Sequence, residues 1–144
     1  MTIKIRRCMI SDAHRIYELS MQELGYKFSE AQVESNVRRL IGLPTSLILV
    51  AESGNEVVGF IHACTHEPVY APPMVNILGL AVDPMFRKQG LGRKLVEAVE
   101  DWGRENGAAG IRVNSGDNMD SGLRFYKALG YNYVRTQYKF RKSL

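Results

Sequence analysis

Long apolar runs are scarce in this chain of 144 residues. No stretch approaches the roughly 20 apolar residues that a membrane-spanning helix needs. The first seven residues, from Met1 to Arg7, mix basic and β-branched side chains and do not form the apolar core of a signal peptide. We therefore expect a soluble, cytoplasmic protein with no membrane partner.

Cysteine is equally scarce, because the chain contains only Cys8 and Cys64 and neither belongs to a CxxC pair. Such spacing is not typical of a disulfide framework or of a zinc site. His62 and His66 are near each other in the sequence, but two ligands without a third make a poor metal site. We expect no metal and interpret both cysteines as small core or strand residues.

Acidic residues are fewer than basic ones, 15 against 19, which gives a net charge of +4. This modest excess would suit nucleic acid, anionic lipid or a phosphorylated ligand, so charge alone does not choose among them. The hydrophobic share of 45% and the charged share of 24% are typical of a globular chain. Because no repeat or linker interrupts the sequence, we predict a single domain over residues 1–144.

Hydrophobic periodicity predicts alternating strands and helices. The expected helices are one capped by Ser11-Asp12 and ended by Gly25, then Ser29 to Gly42, Gly90 to Gly107, and Leu123 to Leu129. The expected strands are Ile3 to Met9, Leu47 to Ala51, Val57 to Cys64, Val75 to Val82, Ile111 to Val113 and Tyr131 to Arg141. Early hairpins followed by strand–helix–strand crossovers predict an α+β fold, with a mixed, mainly antiparallel sheet and helices on both faces.

The most informative segment lies between the strand ending at Val82 and the helix beginning after Gly90. A helix start offers unpaired backbone N–H groups and the positive end of the helix dipole, which together bind phosphate. Glycine lets a ligand approach the backbone closely, and Arg87 and Lys88 add mobile positive charge. A Rossmann fingerprint would need glycine in place of Leu95, and the segment does not match a Walker loop either. Spacing alone also allows that these glycines merely ease a tight turn.

The segment Arg87-Lys88-Gln89-Gly90-Leu91-Gly92 matches a Q/R-x-x-G-x-G/A signature. In this motif the chain resembles the GNAT acetyltransferases. The preceding run from Leu80 to Pro84 resembles the strand before the signature, and Val58-Gly59-Phe60 resembles part of the third strand. Asn118, followed by the segment from Leu123 to Tyr131, resembles the later N…FYxxLGF/Y motif.

The resemblance implies acetyl transfer from acetyl-coenzyme A to an amine, and it implies splayed central strands in the sheet. Pantetheine would bind the backbone of the fourth strand, and pyrophosphate would bind the following turn. The cofactor-binding residues implied in this way are Leu80, Ala81, Val82, Arg87, Lys88, Gln89, Gly90, Leu91, Gly92 and Asn118. Tyr126 occupies the position of the family's general acid, which protonates the coenzyme A sulfur; the residues alone allow a packing role for this tyrosine equally well.

The general base is left open by the sequence. In the histone-acetylating branch of the family a glutamate lies near the beginning of the fourth strand, and Asn76 stands there in this chain. Strand alternation places His62, Cys64 and His66 on one face, with Glu67 just beyond, so a histidine could relay a proton through water. A Cys64 acyl-enzyme is disfavoured, since relatives transfer the acetyl group directly in a ternary complex.

The acceptor is expected to be a small-molecule amine or a peptide or protein amine, bound near the first two helices and residues 67–73. Candidate wall residues are Tyr26, Phe28 and Tyr70. After Asp120 the chain is basic and carries no acidic residue, which weakly disfavours a polycationic acceptor. Three alternatives stay open: a homodimer, a non-catalytic acyl-coenzyme A sensor and, less favoured, a nucleic-acid-binding module that stacks bases on the aromatic residues of the C-terminal segment.

Overall fold

The computed structural model describes residues 2–116 and 120–144. The chain divides into two units, Met1–Val113 and Asn114–Leu144, which are described separately. Among the described residues, no helix is long and apolar enough to cross a membrane.

The first unit contains five strands and three α-helices. The strands are β1 (Ile3–Arg7), β2 (Ser46–Ser53), β3 (Glu56–His66), β4 (Met74–Val82) and β5 (Ile111–Val113). The α-helices are α1 (Ala13–Leu19), α2 (Glu30–Leu40) and α3 (Leu91–Glu105). A π-helical turn, Ser20–Leu24, continues α1, and 3₁₀ turns occur at Ile10–Asp12 and Pro84–Phe86. Each predicted strand and helix of this unit is present, with ends shifted by a few residues.

The sheet follows chain order, β1-β2-β3-β4-β5. Its first three pairings are antiparallel, and β4 pairs with β5 in parallel. The predicted mixed, mainly antiparallel sheet is therefore confirmed. The register between β3 and β4 pairs His62 with Gly79 but Ala63 with Ile77, so Leu78 forms a one-residue β-bulge.

Helices cover both faces of this sheet. On one face, α1 and α2 contribute Ile16, Leu19 and Val37 to a buried cluster with Phe60 of β3 and Ala81 of β4. On the opposite face, α3 buries Leu95, Val96 and Val99 completely. The helix approaches the sheet so closely that a Cβ added at Gly59 would lie 3.5 Å from Leu95 Cδ1, and one added at Gly103 would lie 3.5 Å from Val75 Cγ2.

The helix ends follow the signals read from the sequence, with one exception. Ser29 caps α2 through a hydrogen bond from the Gln32 N–H, in a capping box. Gly25 ends the π turn in the left-handed conformation, with φ of 73°. The exception is Asp12, whose carboxylate does not cap α1 but accepts hydrogen bonds from the Met9 N–H and from Arg6.

The second unit contains α4 (Asp120–Ala128). Gly130 follows this helix with φ of 91°, as expected for a glycine that ends a helix. The predicted strand from Tyr131 to Arg141 is wrong, because residues 131–144 form no regular secondary structure. Val134, Tyr138 and Phe140 are 79%, 91% and 90% exposed. High β-propensity reflects how well a side chain fits a half-buried sheet surface, and no such surface is available to these residues within the unit.

Candidate functional site

The turn from β4 to α3 holds its backbone in two left-handed conformations. Asp83 begins the turn, since its Oδ1 accepts a hydrogen bond from the Met85 N–H at 2.9 Å. Lys88 has φ of 61° and is the one non-glycine residue with positive φ among those described. Gly90 follows with φ of 78° and begins α3 without a side-chain cap. A left-handed lysine costs about 1–2 kcal/mol, so tertiary contacts must stabilise the turn.

This turn presents a backbone surface to solvent. Lys88, Gln89 and Gly90 are exposed, whereas Leu91 is 1% exposed and anchors the start of the helix in the core. The first N–H groups of a helix have no intrahelical partner and bind anions with the help of the helix dipole. A Cβ added at Gly90 would meet nothing within 4 Å, so the position is open to a ligand. The predicted phosphate-binding residues from Arg87 to Gly92, here called the cradle, are therefore brought together in a form that can bind a phosphate.

Two ion pairs connect this turn to the first helix. At the beginning of the turn, Arg15 Nη2 of α1 lies 3.1 Å from Asp83 Oδ2, and Arg15 Nε donates to the Val57 carbonyl oxygen at 2.9 Å. At the end, Arg87 pairs with Glu23 of the π turn. The guanidinium of Arg87, which we expected to be mobile, is thus held at the side of the turn.

The predicted backbone-binding residues Leu80, Ala81 and Val82 lie in the last part of β4. On one side, these residues pair with β3, from Gly59 to Ile61. On the other side, the ladder with β5 covers Val75 to Ile77 and ends there. Of the strands described, β3 alone pairs with this end of β4, which leaves backbone hydrogen-bonding groups available to an added extended segment.

Three candidate residues, His62, His66 and Asn76, lie on the sheet face that carries α1 and α2, and Glu67 follows the end of β3. Asn76 Oδ1 accepts a hydrogen bond from Arg112 Nη1 at 2.9 Å and has no basicity at neutral pH. His62 Nε2 lies 3.1 Å from Ser46 Oγ, and burial lowers the pKa of His62 so that the ring is neutral. His66 is half-buried at the end of β3, and Glu67 is exposed.

The cysteines are poor nucleophiles in this structure. Cys8 is buried, Cys64 is partly exposed, and both are unpaired. Burial raises the pKa of Cys8 to about 12 and also raises that of Cys64, although nearby Arg112 opposes the shift at Cys64. Since the thiolate is the reactive form, neither side chain is activated. Within the described residues, no three His, Cys, Asp or Glu side chains gather as metal ligands.

Tyr126 lies in α4 of the second unit. Its ring contacts Phe125 edge to face at 5.0 Å and Tyr131 at 5.6 Å between centroids. Burial raises its pKa to about 12, so the phenol keeps its proton at neutral pH. Asn118, the other predicted residue of this part of the chain, lies outside the described residues.

The predicted acceptor walls are solvent-accessible: Tyr26, Phe28 and Tyr70 are 62%, 46% and 90% exposed. An open pocket of about 240 Å³ lies at the end of the sheet opposite the β4–α3 turn. It is lined by Pro44, Thr45, Thr65, Glu67, Pro73, Met74, Val75, Asn106 and Ala108. Glu67 is the one candidate base that lines it.

Sequence reasoning missed Arg15, Glu23 and Arg112. The first two pair with residues 68 and 64 positions away, and no local pattern announces such pairs. A signal did exist for Arg112, which is the charged residue between Ile111 and Val113 in a short strand. A charge in that position requires a polar partner on its face of the sheet.

A mixed sheet, an open β4 edge and an exposed, glycine-containing turn into α3 together form this fold. The model of the Acetyltransferase (GNAT) family matches residues 13–131, and the chain therefore belongs to that family. The resemblance read from the motifs is confirmed.

Relatives and solved structures agree with this assignment. The chain is 34% identical to "Probable N-acetyltransferase HLS1" of Arabidopsis thaliana over 116 residues, which covers 65% of this chain and 28% of that protein. It is 29% identical to human "N-acetyltransferase 8" over 87 residues, covering 60% and 38%. The chain thus spans less than two-fifths of these relatives.

Among solved structures, the aminoglycoside N-acetyltransferase AAC(6')-Iy in complex with CoA has a TM-score of 0.89 at 20% identity, covering 99% of this chain and 96% of that one. Glucosamine-6-phosphate N-acetyltransferase from Arabidopsis thaliana has a TM-score of 0.84 at 20% identity, covering 99% and 100%. At such identities these likenesses establish the fold.

The ion pair between Arg15 and Asp83 yields a stability prediction. Asp83→Asn keeps an oxygen acceptor for the Met85 N–H but removes the charge that faces Arg15. We expect a loss of about 1–3 kcal/mol in the free energy of unfolding, measured by urea denaturation, because the pair is largely shielded from solvent. Asp101→Asn is the control: Asp101 forms a surface pair with Arg104 and is 71% exposed, so its loss should stay within about 0.5 kcal/mol. Equal effects of the two substitutions would contradict the proposed fixing of the turn.

Proposed function

We propose that this chain is an acetyl-coenzyme A-dependent N-acetyltransferase that acts on a primary amine by direct attack in a ternary complex. The observation that carries the proposal is the turn between β4 and α3. In it, the family's signature residues adopt two left-handed conformations beside an open strand edge. Acetyl-coenzyme A supplies the acetyl group in an activated thioester.

The residues of the turn and of the β4 edge suit that cosubstrate. The exposed backbone of residues 88–92 would bind the pyrophosphate, with Lys88 and the dipole of α3 adding positive potential. The free edge from Leu80 to Val82 would bind the pantetheine amides like a neighbouring strand. A polyanionic cosubstrate would then explain part of the basic excess of the chain without nucleic acid.

Tyr126 is the general acid in this proposal. The leaving sulfur needs a proton, and a phenol whose pKa is raised to about 12 is fully protonated at neutral pH. Proton removal from the amine runs through water, His66 or Glu67, since Asn76 cannot act as a base and His62 is bonded to Ser46. The raised pKa of the Cys64 thiol supports direct transfer over an acyl-enzyme.

A non-catalytic sensor of acyl-coenzyme A is the second candidate, favoured by Asn76 at the position of the glutamate in one branch of the family. The two functions are separated by thiol release from acetyl-coenzyme A in the presence of a panel of amines. An enzyme should release coenzyme A in proportion to N-acetylated product identified by mass spectrometry. Tight binding of the cosubstrate without amine-dependent release would establish the sensor and exclude the enzyme.

The conformation of Gly90 predicts how coenzyme A binding should change. Gly90→Ala adds a Cβ at the proposed pyrophosphate position and should weaken affinity about tenfold or more by calorimetry. Gly54→Ala is a matched control, because Gly54 also has positive φ and open surroundings but lies in the β2–β3 hairpin. Both variants should lose about 1–2 kcal/mol of stability from backbone strain, whereas affinity should fall only in the first. Unchanged affinity in a folded Gly90→Ala variant would remove the proposed cradle.

Tyr126→Phe tests the assignment of the acid. The variant keeps the ring that packs against Phe125 and Tyr131 but loses the hydroxyl. Single-turnover acetyl transfer at saturating cosubstrate should slow by about 100- to 10,000-fold, with coenzyme A affinity nearly unchanged. Tyr133→Phe, which removes an exposed hydroxyl bonded to Thr136, should leave the rate as it is. A wild-type rate in Tyr126→Phe would eliminate this tyrosine as the acid.

A further inference from the structure

Arg112 places a guanidinium next to the opening between β4 and β5. It is half-buried in the middle of β5, and its Nη1 donates to Asn76 Oδ1. The pair between Asn76 and Arg112 is followed by one further pair, Ile77 with Val113, before the ladder ends. With a rise of about 3.3 Å per residue, Arg112 lies one residue from the point at which β4 loses its neighbour.

The sheet face that carries this guanidinium is the face of α1 and α2. Directly paired residues point to the same side, so Cys64, Asn76 and Arg112 share one face. The π turn reaches the same region, because Leu24 Cδ1 lies 3.7 Å from the position of a Cβ at Gly79. The acceptor was expected on this side, next to the first two helices, and the signature turn belongs to the other end of β4.

Among the side chains that the structure describes, none neutralises the charge of Arg112. Its hydrogen-bond partner Asn76 is neutral, and Arg112 has no ion pair among the described side chains. Glu23, the acidic residue of the π turn, pairs with Arg87. The Cys64 thiol and the His62 ring are uncharged at neutral pH, because burial raises the pKa of the first and lowers that of the second.

A half-buried guanidinium held by an amide is well suited to an oxyanion. Guanidinium offers five N–H donors in a planar fork, and the bond to Asn76 uses one of them and fixes the side chain. The remaining donors can bind carboxylate or phosphate in a bidentate manner, which gives specificity as well as affinity. A polycationic acceptor would instead be repelled from this face.

We propose that the amine acceptor carries an anionic group, carboxylate or phosphate, which binds Arg112 while the amine faces the end of the β4–β5 ladder. This inference rests on the proposed acetyltransferase function and names its substrate class. Asn76 is then a positioning residue that holds Arg112, which explains why a carboxylate is not needed at that place.

Matched pairs of amines test the proposal in the thiol-release assay. Glycylglycine is compared with glycylglycinamide, and lysine with its decarboxylated diamine, for the carboxylate. Phosphoethanolamine is compared with ethanolamine for the phosphate. The wild-type protein should show kcat/KM about 10- to 100-fold higher for the anionic member of at least one pair, mainly through KM. The pair with the larger ratio identifies the anion.

Variants then assign the preference to the guanidinium. Arg112→Gln should abolish the preference for the anionic member of the pair, and Arg112→Lys should retain part of that preference. Arg104→Gln, at an exposed position of α3, is the control and should behave as wild type. If Arg112→Gln does not fold, Arg112→Lys and the wild-type ratios still decide the question.

The outcomes distinguish a failure of the proposed substrate class from a failure of the proposed function. Turnover of neutral and anionic amines at equal efficiency would overturn the role of Arg112 and leave the proposed function intact. A preference that survives in Arg112→Gln would do the same. Absence of thiol release with every amine, despite binding of acetyl-coenzyme A, would contradict the proposed function and with it the substrate class.

Discussion

The turn between β4 and α3 is the constraint on which the candidate site depends. The backbone is left-handed at two nearby residues, Lys88 and Gly90. This conformation is unfavourable for the lysine and would not persist without support. The support is provided at both ends, where Arg15 holds Asp83 and Glu23 holds Arg87. Side chains of α1 and of the π turn that follows it thus hold the turn between β4 and α3 in its conformation.

The ion pairs differ in what they contribute. Arg15 and Asp83 are each about one-fifth exposed and are fixed by further hydrogen bonds, so their contribution is to geometry and stability. Arg87 is 60% exposed while Glu23 is 10% exposed, so this pair is more open to solvent on the side of the arginine.

Much of the fold could be predicted from the sequence because its signals are local. Gly25, Ser29 and Gly130 mark helix ends through their own backbone and side-chain chemistry. In α3, the helical spacing of the apolar residues indicates which face of the helix is buried. The strand predicted from Tyr131 to Arg141 failed because strand formation depends on a partner that local pattern does not supply. The signature from Arg87 to Gly92 led to the correct family, and at Gly90 the left-handed backbone favours glycine. The pairs formed by Arg15, Glu23 and Arg112 could not be predicted in the same way, because each depends on a register or a packing contact set by distant parts of the chain.

The bulge at Leu78 determines which side chains of β4 share a face of the sheet. Asn76 and Ala81 are five residues apart, a spacing that would put them on opposite faces of a regular strand. The extra residue restores the phase, and both then face α1 and α2 while Val75 and Val82 face α3. The alternation of side chains between the two faces is therefore shifted by one residue between the half of β4 that contains Asn76 and the half that leads into the signature turn. Deletion of a single residue between them would move the side chains of one half of β4 to the opposite face of the sheet, although every residue of the candidate site would still be present in the chain.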